Sequence, residues 1–308
     1  MNVYRDISLL PKFDKAVITT GSFDGVHSGH VQIIDQLLIE AKNIGGTPIV
    51  ITFYPHPKKI VQMVDKPLFV LNTPNEKYEL LEQNGIENIV VVPFDKSFSE
   101  FTADEYISNF LVQKFNPAII VVGYDHRFGK NREGNFELLK SKEAEFGFMV
   151  KEIPEHVLKN NTISSTKIRT AMIDGDIKTA ATFLGYEYFF SGLVVEGNKI
   201  GRTIGYPTAN LLIEGENKLT PANGVYAVNV ELEKRKLKGM MNIGVRPTVD
   251  GTKRVTEVNI FNFDEDIYGA NLKIILKNKL RSEVKFTGLD ELKKQLAKDK
   301  LMAEEINT

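Results

Sequence analysis

The pattern of apolar and polar positions changes character once along this chain. In the first half, short apolar runs alternate with segments whose apolar residues recur at helical spacing. Ala16-Val17-Ile18 reads as a strand, and Val31, Ile34, Leu38 and Ala41 then form a stripe on one helical face. Further apolar, β-branched runs lie at 48–53, 89–92 and 118–122. Thr73-Pro74-Asn75-Glu76 is a capping box with proline at the first helical position, and Gly85 closes that helix. Thr102-Ala103-Asp104-Glu105 is a second capping box, opening a helix to about Phe115, and 135–146 reads as one more helix ending at Gly147. Continuous apolar strands between helices predict an α/β unit with a parallel sheet covered on both faces.

After about Gly185 helical periodicity nearly disappears. Short strands are predicted at 194–195, 225–230, 240–243, 255–261 and 272–276, with Gly, Asn and Asp between them. That spacing predicts an antiparallel barrel or sandwich. A last helix runs from Leu289 to about Ile306 and carries Leu292, Leu296 and Leu301. The boundary is placed after two short helices, 166–174 and 177–184, which gives domains 1–185 and 186–308. No internal repeat or low-complexity linker is evident.

A chain of 308 residues accommodates two such domains. It has no cysteine, which excludes disulfides, thiolate catalysis and Cys-ligated metal, and suits the cytoplasm. No apolar run is long enough to span a bilayer and no export signal is evident, so no membrane partner is expected. The net charge of −1 gives no reason to expect nucleic-acid binding. Lys234, Arg235, Lys236 and Lys238 form one basic cluster, which reads as a solvated hairpin tip. Nothing in the sequence specifies an oligomeric state.

Ligands of parallel sheets bind beyond the carboxyl ends of the strands. Two candidate segments fall there. The first is the glycine-rich turn Gly21-Ser22-Phe23-Asp24-Gly25-Val26-His27-Ser28-Gly29-His30. Its glycines allow close backbone approach, and the helix start that follows favours an anion. His27 and His30 share a helical face, so both can reach one phosphate group. No Walker-type sequence occurs. The second segment is Gly123-Tyr124-Asp125-His126-Arg127-Phe128-Gly129, where Asp125 could accept hydrogen bonds from a heterocycle and Phe128 could stack on an aromatic ring. By itself that loop reads equally well as one packed for shape alone.

Three further sites stand out. Ser164, Ser165 and Thr166 can cap a helix that carries Arg169 one turn in; taken alone this is equally simple capping plus a surface cation. In Gly205-Tyr206-Pro207-Thr208-Ala209-Asn210, Thr208 and Asn210 alternate and face one way if the segment is extended. Their hydroxyl and amide oxygen suit Mg²⁺ bound with nucleotide phosphates, although turn residues are the commoner role. Glu257 lies in a strand run and could be a general base for an alcohol; from position alone a solvent-facing role is the simpler reading.

These segments, in this order, resemble the bacterial bifunctional riboflavin kinase/FAD synthetase family, as do the weaker stretches 52–57 and 242–248. The resemblance spans essentially the whole chain. It implies a Rossmann-like nucleotidyltransferase domain followed by a six-stranded riboflavin-kinase barrel with a terminal helix. It implies that riboflavin is phosphorylated by ATP to FMN, and FMN adenylylated by ATP to FAD and pyrophosphate, with Mg²⁺ as cofactor. Carried over residue by residue, Gly21, Phe23, Asp24, Gly25, His27 and His30 match the ATP-phosphate turn, with Ser165, Thr166 and Arg169 as its second motif. Asp125 and Phe128 match positions near nucleotide and flavin. Thr208 and Asn210 match the kinase Mg-ATP ligands, Glu257 the base for the ribityl 5′-hydroxyl, and Arg281 a flexible segment near the flavin. Two positions depart from the family: His126 stands where Phe is usual, and Asn259 where His is frequent. His126 raises the alternative of a kinase with a weakened adenylyltransferase site. A flavin-sensing regulator without turnover is a further alternative, disfavoured by the intact set of reactive side chains, and adenylylation of another phosphate such as pantetheine phosphate leaves the second half unexplained.

Overall fold

The computed structural model describes residues 1–61, 68–153, 163–197, 200–215, 217–248 and 251–306. The chain divides into two units, one of 1–68 with 74–163, the other of 69–73 with 164–308.

The first unit is built on six parallel strands: β1 (Asn2–Tyr4), β2 (Val17–Thr20), β3 (Pro48–Tyr54), β4 (Asn88–Pro93), β5 (Ile119–Gly123) and β6 (Met149–Ile153). Their order is β1-β4-β3-β2-β5-β6. β2 and β5 are buried throughout, which is why they read as unbroken apolar runs. The sequence reading missed β1 and β6, the edge strands. β1 has three residues and β6 exposes three of its five, so neither carries that signal.

Strand order reverses at β2. Val17 pairs with Pro48 of β3 on one side and with Ile119 of β5 on the other. The crevice at the carboxyl ends of β2 and β5 is therefore the topological switch point, where sheets of this kind hold ligands. Helix α1 (Ser28–Ile44) follows β2, buries Ile34, Leu37 and Ala41, and ends at left-handed Gly45. Helix α2 (Pro74–Gln83) begins at the expected proline. The Thr102–Glu105 capping box forms as read, but the helix it opens becomes a π-helix over Tyr106–Val112. The single helix expected over 135–146 is two, Phe136–Ser141 and Glu143–Phe146, broken at Lys142. Glu143 there accepts a hydrogen bond from the Val150 amide at 2.6 Å, which ties the second piece to β6.

The second unit carries a closed antiparallel barrel of β7 (Phe189–Val195), β8 (Ala209–Ile213), β9 (Gly224–Leu232), β10 (Arg235–Thr248), β11 (Gly251–Ile260) and β12 (Asn271–Arg281), in the order β10-β11-β8-β7-β12-β9. Lys234, Arg235, Lys236 and Lys238 lie at the exposed β9–β10 hairpin, where Arg235 pairs with Glu265 at 2.6 Å. Helices α3 (Ser165–Asp174) and α4 (Ile177–Leu184) precede the barrel. The expected boundary at 185/186 marks where helices give way to strands; packing groups both helices with the second unit. The last helix, α5 (Leu289–Ile306), lays Leu296, Ala303 and Ile306 against Ala227, Met240 and Phe261. Leu301, read as part of its apolar stripe, is 62% exposed, because Asp299 and Ala303 occupy the inward face.

Segment 69–73 is sewn into the second unit by groups far away in sequence. The Leu71 carbonyl accepts from the Tyr188 hydroxyl at 2.9 Å and from Lys218 Nζ at 2.6 Å.

Candidate active sites

The glycine-rich turn leaves β2 at the switch point with three demands on its backbone: Phe23, Gly25 and Val26 all have left-handed φ, at 47°, 93° and 35°. Only Gly25 meets this without strain. Phe23 and Val26 are buried, and core packing holds them there. His27 then stands at the N-cap of α1 with no side-chain cap hydrogen bond, and its carbonyl accepts from the His30 and Val31 amides at 2.7 and 3.0 Å. The His27 and His30 rings stack with centroids 3.7 Å apart and planes 15° from parallel, and Phe23 backs His30 at 5.1 Å. Burial, then the neighbouring charges of His27 and Lys77, push His30 well below the usual histidine range, so its ring is neutral at neutral pH. His30 Nδ1 is buried and has no hydrogen-bond partner among the described residues. A neutral imidazole at the start of a helix suits a phosphate oxygen.

The loop after β5 emerges beside this turn. Tyr124 and Asp125 are exposed, but Phe128 is only 6% exposed. Its ring packs on Tyr106 at 5.0 Å and His126 at 5.8 Å, and Phe128 and Gly134 bridge backbone to backbone. The ring expected to stack on a ligand thus stacks inside the protein, where it shapes the loop. His126 is not a stray polar group in a hydrophobic slot. Its Nε2 lies 3.4 Å from Thr20 Oγ1, which in turn accepts from the Tyr106 hydroxyl at 3.1 Å. Burial, then the Arg132 charge, lowers His126 to about 4. A chain of polar contacts therefore links this loop, through the last residue of β2, to the phosphate turn.

In the second unit, Ser164 caps α3 by accepting from the Lys167 amide at 3.3 Å. Ser165 and Thr166 occupy its first turn, and Arg169 Nε donates to the Phe69 carbonyl at 2.8 Å. The capping foreseen for this motif is present, and Arg169 is tied to segment 69–73.

The barrel holds a cavity of about 320 Å³ whose lining includes Thr208, Met241, Glu257, Asn259, Arg281 and Phe286. Thr208 immediately precedes β8 and Asn210 is its second residue, the direct cross-strand partner of Glu257 on β11. Opposed residues in an antiparallel pair have neighbouring side chains. Glu257 is partly buried on the cavity wall rather than solvent-facing. Asn259, two residues on, donates to the Pro207 carbonyl at 2.6 Å and so pins the segment that carries Thr208. Arg281, expected in a flexible segment, is the last residue of β12 and is bound to Asp299 of α5. Sequence reasoning passed over Lys77, Thr20, Tyr106 and Asp299. A lysine in the first turn of a helix, where the dipole disfavours it, was the one available signal, at Lys77.

Residues 10–167 match the FAD synthetase family and residues 184–307 the riboflavin kinase family. Similar proteins include the bifunctional riboflavin kinase/FMN adenylyltransferase of Escherichia coli K12, 38% identical over 98% of this chain and 95% of that one. The protein of the same description from Bacillus subtilis is 36% identical over 93% of this chain and 90% of its own. A solved structure from Streptococcus pneumoniae, described as a macrolide-efflux protein, is 32% identical over 98% of both chains with a TM-score of 0.87. No helix among the described residues of this chain is long and apolar enough to cross a membrane.

Proposed function

The chain belongs to the bifunctional riboflavin kinase/FMN adenylyltransferase family, and from that premise we propose how its residues divide two ATP-dependent reactions. The enzyme phosphorylates riboflavin to FMN and adenylylates FMN to FAD. ATP is the substrate of both steps.

Adenylyl transfer is assigned to the glycine-rich turn after β2. A phosphate oxygen of FMN attacks the α-phosphorus of ATP, the bond to the β-phosphate bridge breaks, and pyrophosphate leaves. The reaction needs positioning and stabilised negative charge more than covalent help. His27, His30 and the positive end of the α1 dipole favour that charge, with Gly21, Phe23, Asp24 and Gly25 shaping the turn around it. Ser165, Thr166 and Arg169 match the family's second phosphate motif by sequence. Asp125 faces nucleotide or flavin, and Phe128 supports that loop from beneath.

Riboflavin phosphorylation belongs to the barrel. Glu257 takes the proton of the ribityl 5′-hydroxyl, the oxygen attacks the γ-phosphorus, and ADP leaves. The donor set beside it fits Mg²⁺: a hydroxyl and an amide oxygen, both hard, next to a carboxylate. Thr208 and Asn210 would hold the ion, which when bound neutralises charge on the ATP phosphates. Arg281 borders the flavin. The reading places the enzyme in the cytoplasm, in keeping with its lack of cysteine.

The observation that carries this reading is the convergence of Thr208, Glu257 and Asn259 on one barrel cavity, in a chain whose other half presents paired histidines at a sheet switch point. A chromatographic product assay tests it. Riboflavin, ATP and Mg²⁺ are expected to give FMN and then FAD, and supplied FMN to give FAD directly. FMN that accumulates without FAD under excess ATP defeats the adenylyltransferase half.

A further inference from the structure

Behind the phosphate turn lies a buried lysine that neither reaction employs. Lys77 is 9% exposed, and its Nζ donates to the Ser22 carbonyl at 2.8 Å and lies 3.2 Å from Thr52 Oγ1. Thr52 donates to that same carbonyl at 3.2 Å. Two donors thus converge on one backbone oxygen, immediately before the left-handed run that begins at Phe23.

This is an expensive place for a cation. Burial disfavours the charge, and the fourth residue of α2 sits at the positive end of the helix dipole. Burial draws Lys77 down to about 8, while the buried Asp24 carboxylate draws it back up. His30 on α1 feels the lysine as a charge that disfavours its own protonation, and Glu76, the preceding residue of α2, is also buried. To hold a carbonyl, an uncharged donor is enough, and Thr52 already provides one. What a lysine adds is positive potential next to a turn that carries His27, His30 and the start of α1.

We propose that Lys77 is a positioning residue of the adenylyltransferase site, clamping the Ser22 carbonyl and placing a fixed positive charge beneath the turn on which the ATP triphosphate lands. The inference rests on the assignment of that turn to ATP. It adds a residue that acts through the turn, without touching substrate.

Lys77→Met and Lys77→Arg are compared with the unsubstituted enzyme for FAD formation from FMN. kcat and KM for ATP are measured separately between pH 6.5 and 9.5, with riboflavin phosphorylation followed in the same samples. Lys77→Met is expected to lose roughly 10²-fold in kcat/KM for ATP, as misplaced donors do, with riboflavin phosphorylation retained. The unsubstituted enzyme is expected to lose kcat/KM as pH rises through about 8. Lys77→Arg, whose guanidinium does not titrate there, is expected to lack that alkaline limb. Normal ATP kinetics in Lys77→Met, or an unchanged alkaline limb in Lys77→Arg, overturns the proposal; the second arm stands even if the methionine variant misfolds. If the unsubstituted enzyme makes no FAD, the assignment of the turn fails and this proposal with it. FAD formation indifferent to Lys77 sinks the proposal alone.

Discussion

Arg281 Nε lies 3.0 Å from both carboxylate oxygens of Asp299, and its Nη2 lies 2.8 Å from one of them. Asp299 is fully buried, and Gln295 donates to it at 2.8 Å. This bidentate pair fastens the end of β12 to helix α5 at the wall of the barrel cavity, with Phe286 5.6 Å from the guanidinium. Replacing one partner leaves the other uncompensated, which for buried pairs costs about 3 kcal/mol or more. Asp299→Asn is therefore expected to lower the unfolding midpoint of the barrel and to raise KM for riboflavin. Calorimetry and FMN-formation kinetics check both; an unshifted riboflavin KM would dissociate the pair from the flavin site.

Glu257→Gln keeps the shape of the strand pair with Asn210 and removes the base. FMN formation is expected to fall by about 10²- to 10⁴-fold, while FAD formation from supplied FMN continues. Loss of both activities in a folded variant would contradict two separate sites.

Gly197 leaves no room for a side chain, since an added Cβ would collide with the Asn210 amide. Gly197→Ala is thus expected to displace Asn210, raise the Mg²⁺ concentration needed for FMN formation, and cut that rate by roughly 10²-fold. A Mg²⁺ titration of kinase activity reads this. Unchanged metal dependence would separate Asn210 from the ion.

His126 is neutral in the folded protein down to about pH 4, whereas in the unfolded chain it protonates near 6.5. The unfolded state then binds more protons between these values, so its contribution to stability is complete above about 6.5 and is lost as pH falls toward 4. The loss amounts to about 3 kcal/mol at most. His30, also held neutral, acts in the same direction. Denaturant unfolding of the first unit at pH 7.5 and 5 should show a smaller acid loss in His126→Phe than in the unsubstituted protein. Equal losses would place the acid sensitivity elsewhere.

Much of this protein is set by local pattern. The apolar runs at β2, β3, β4 and β5, the capping box at Thr102 and the change from helical to strand spacing after Gly185 are properties of neighbouring residues, governed by periods of 3.6 and 2. Those periods also carry the phosphate turn, because glycines, an anion-favouring helix start and two histidines lie within ten positions. The edge strands β1 and β6, too short or too polar for such a signal, escape it.

Tertiary structure decides which distant groups meet. Strand order brings the turn after β2 beside the loop after β5, and only then does His126 find Thr20. Barrel register sets Glu257 against Asn210, turning an apparently solvent-facing carboxylate into a cavity wall. Packing sends Phe128 inward, Lys77 to the back of the turn and Asp299 to Arg281. The sequence determined the elements and the kinds of chemistry they carry. Burial and charge compensation, which depend on every neighbour in space, determined where each reactive group points and in what protonation state it waits.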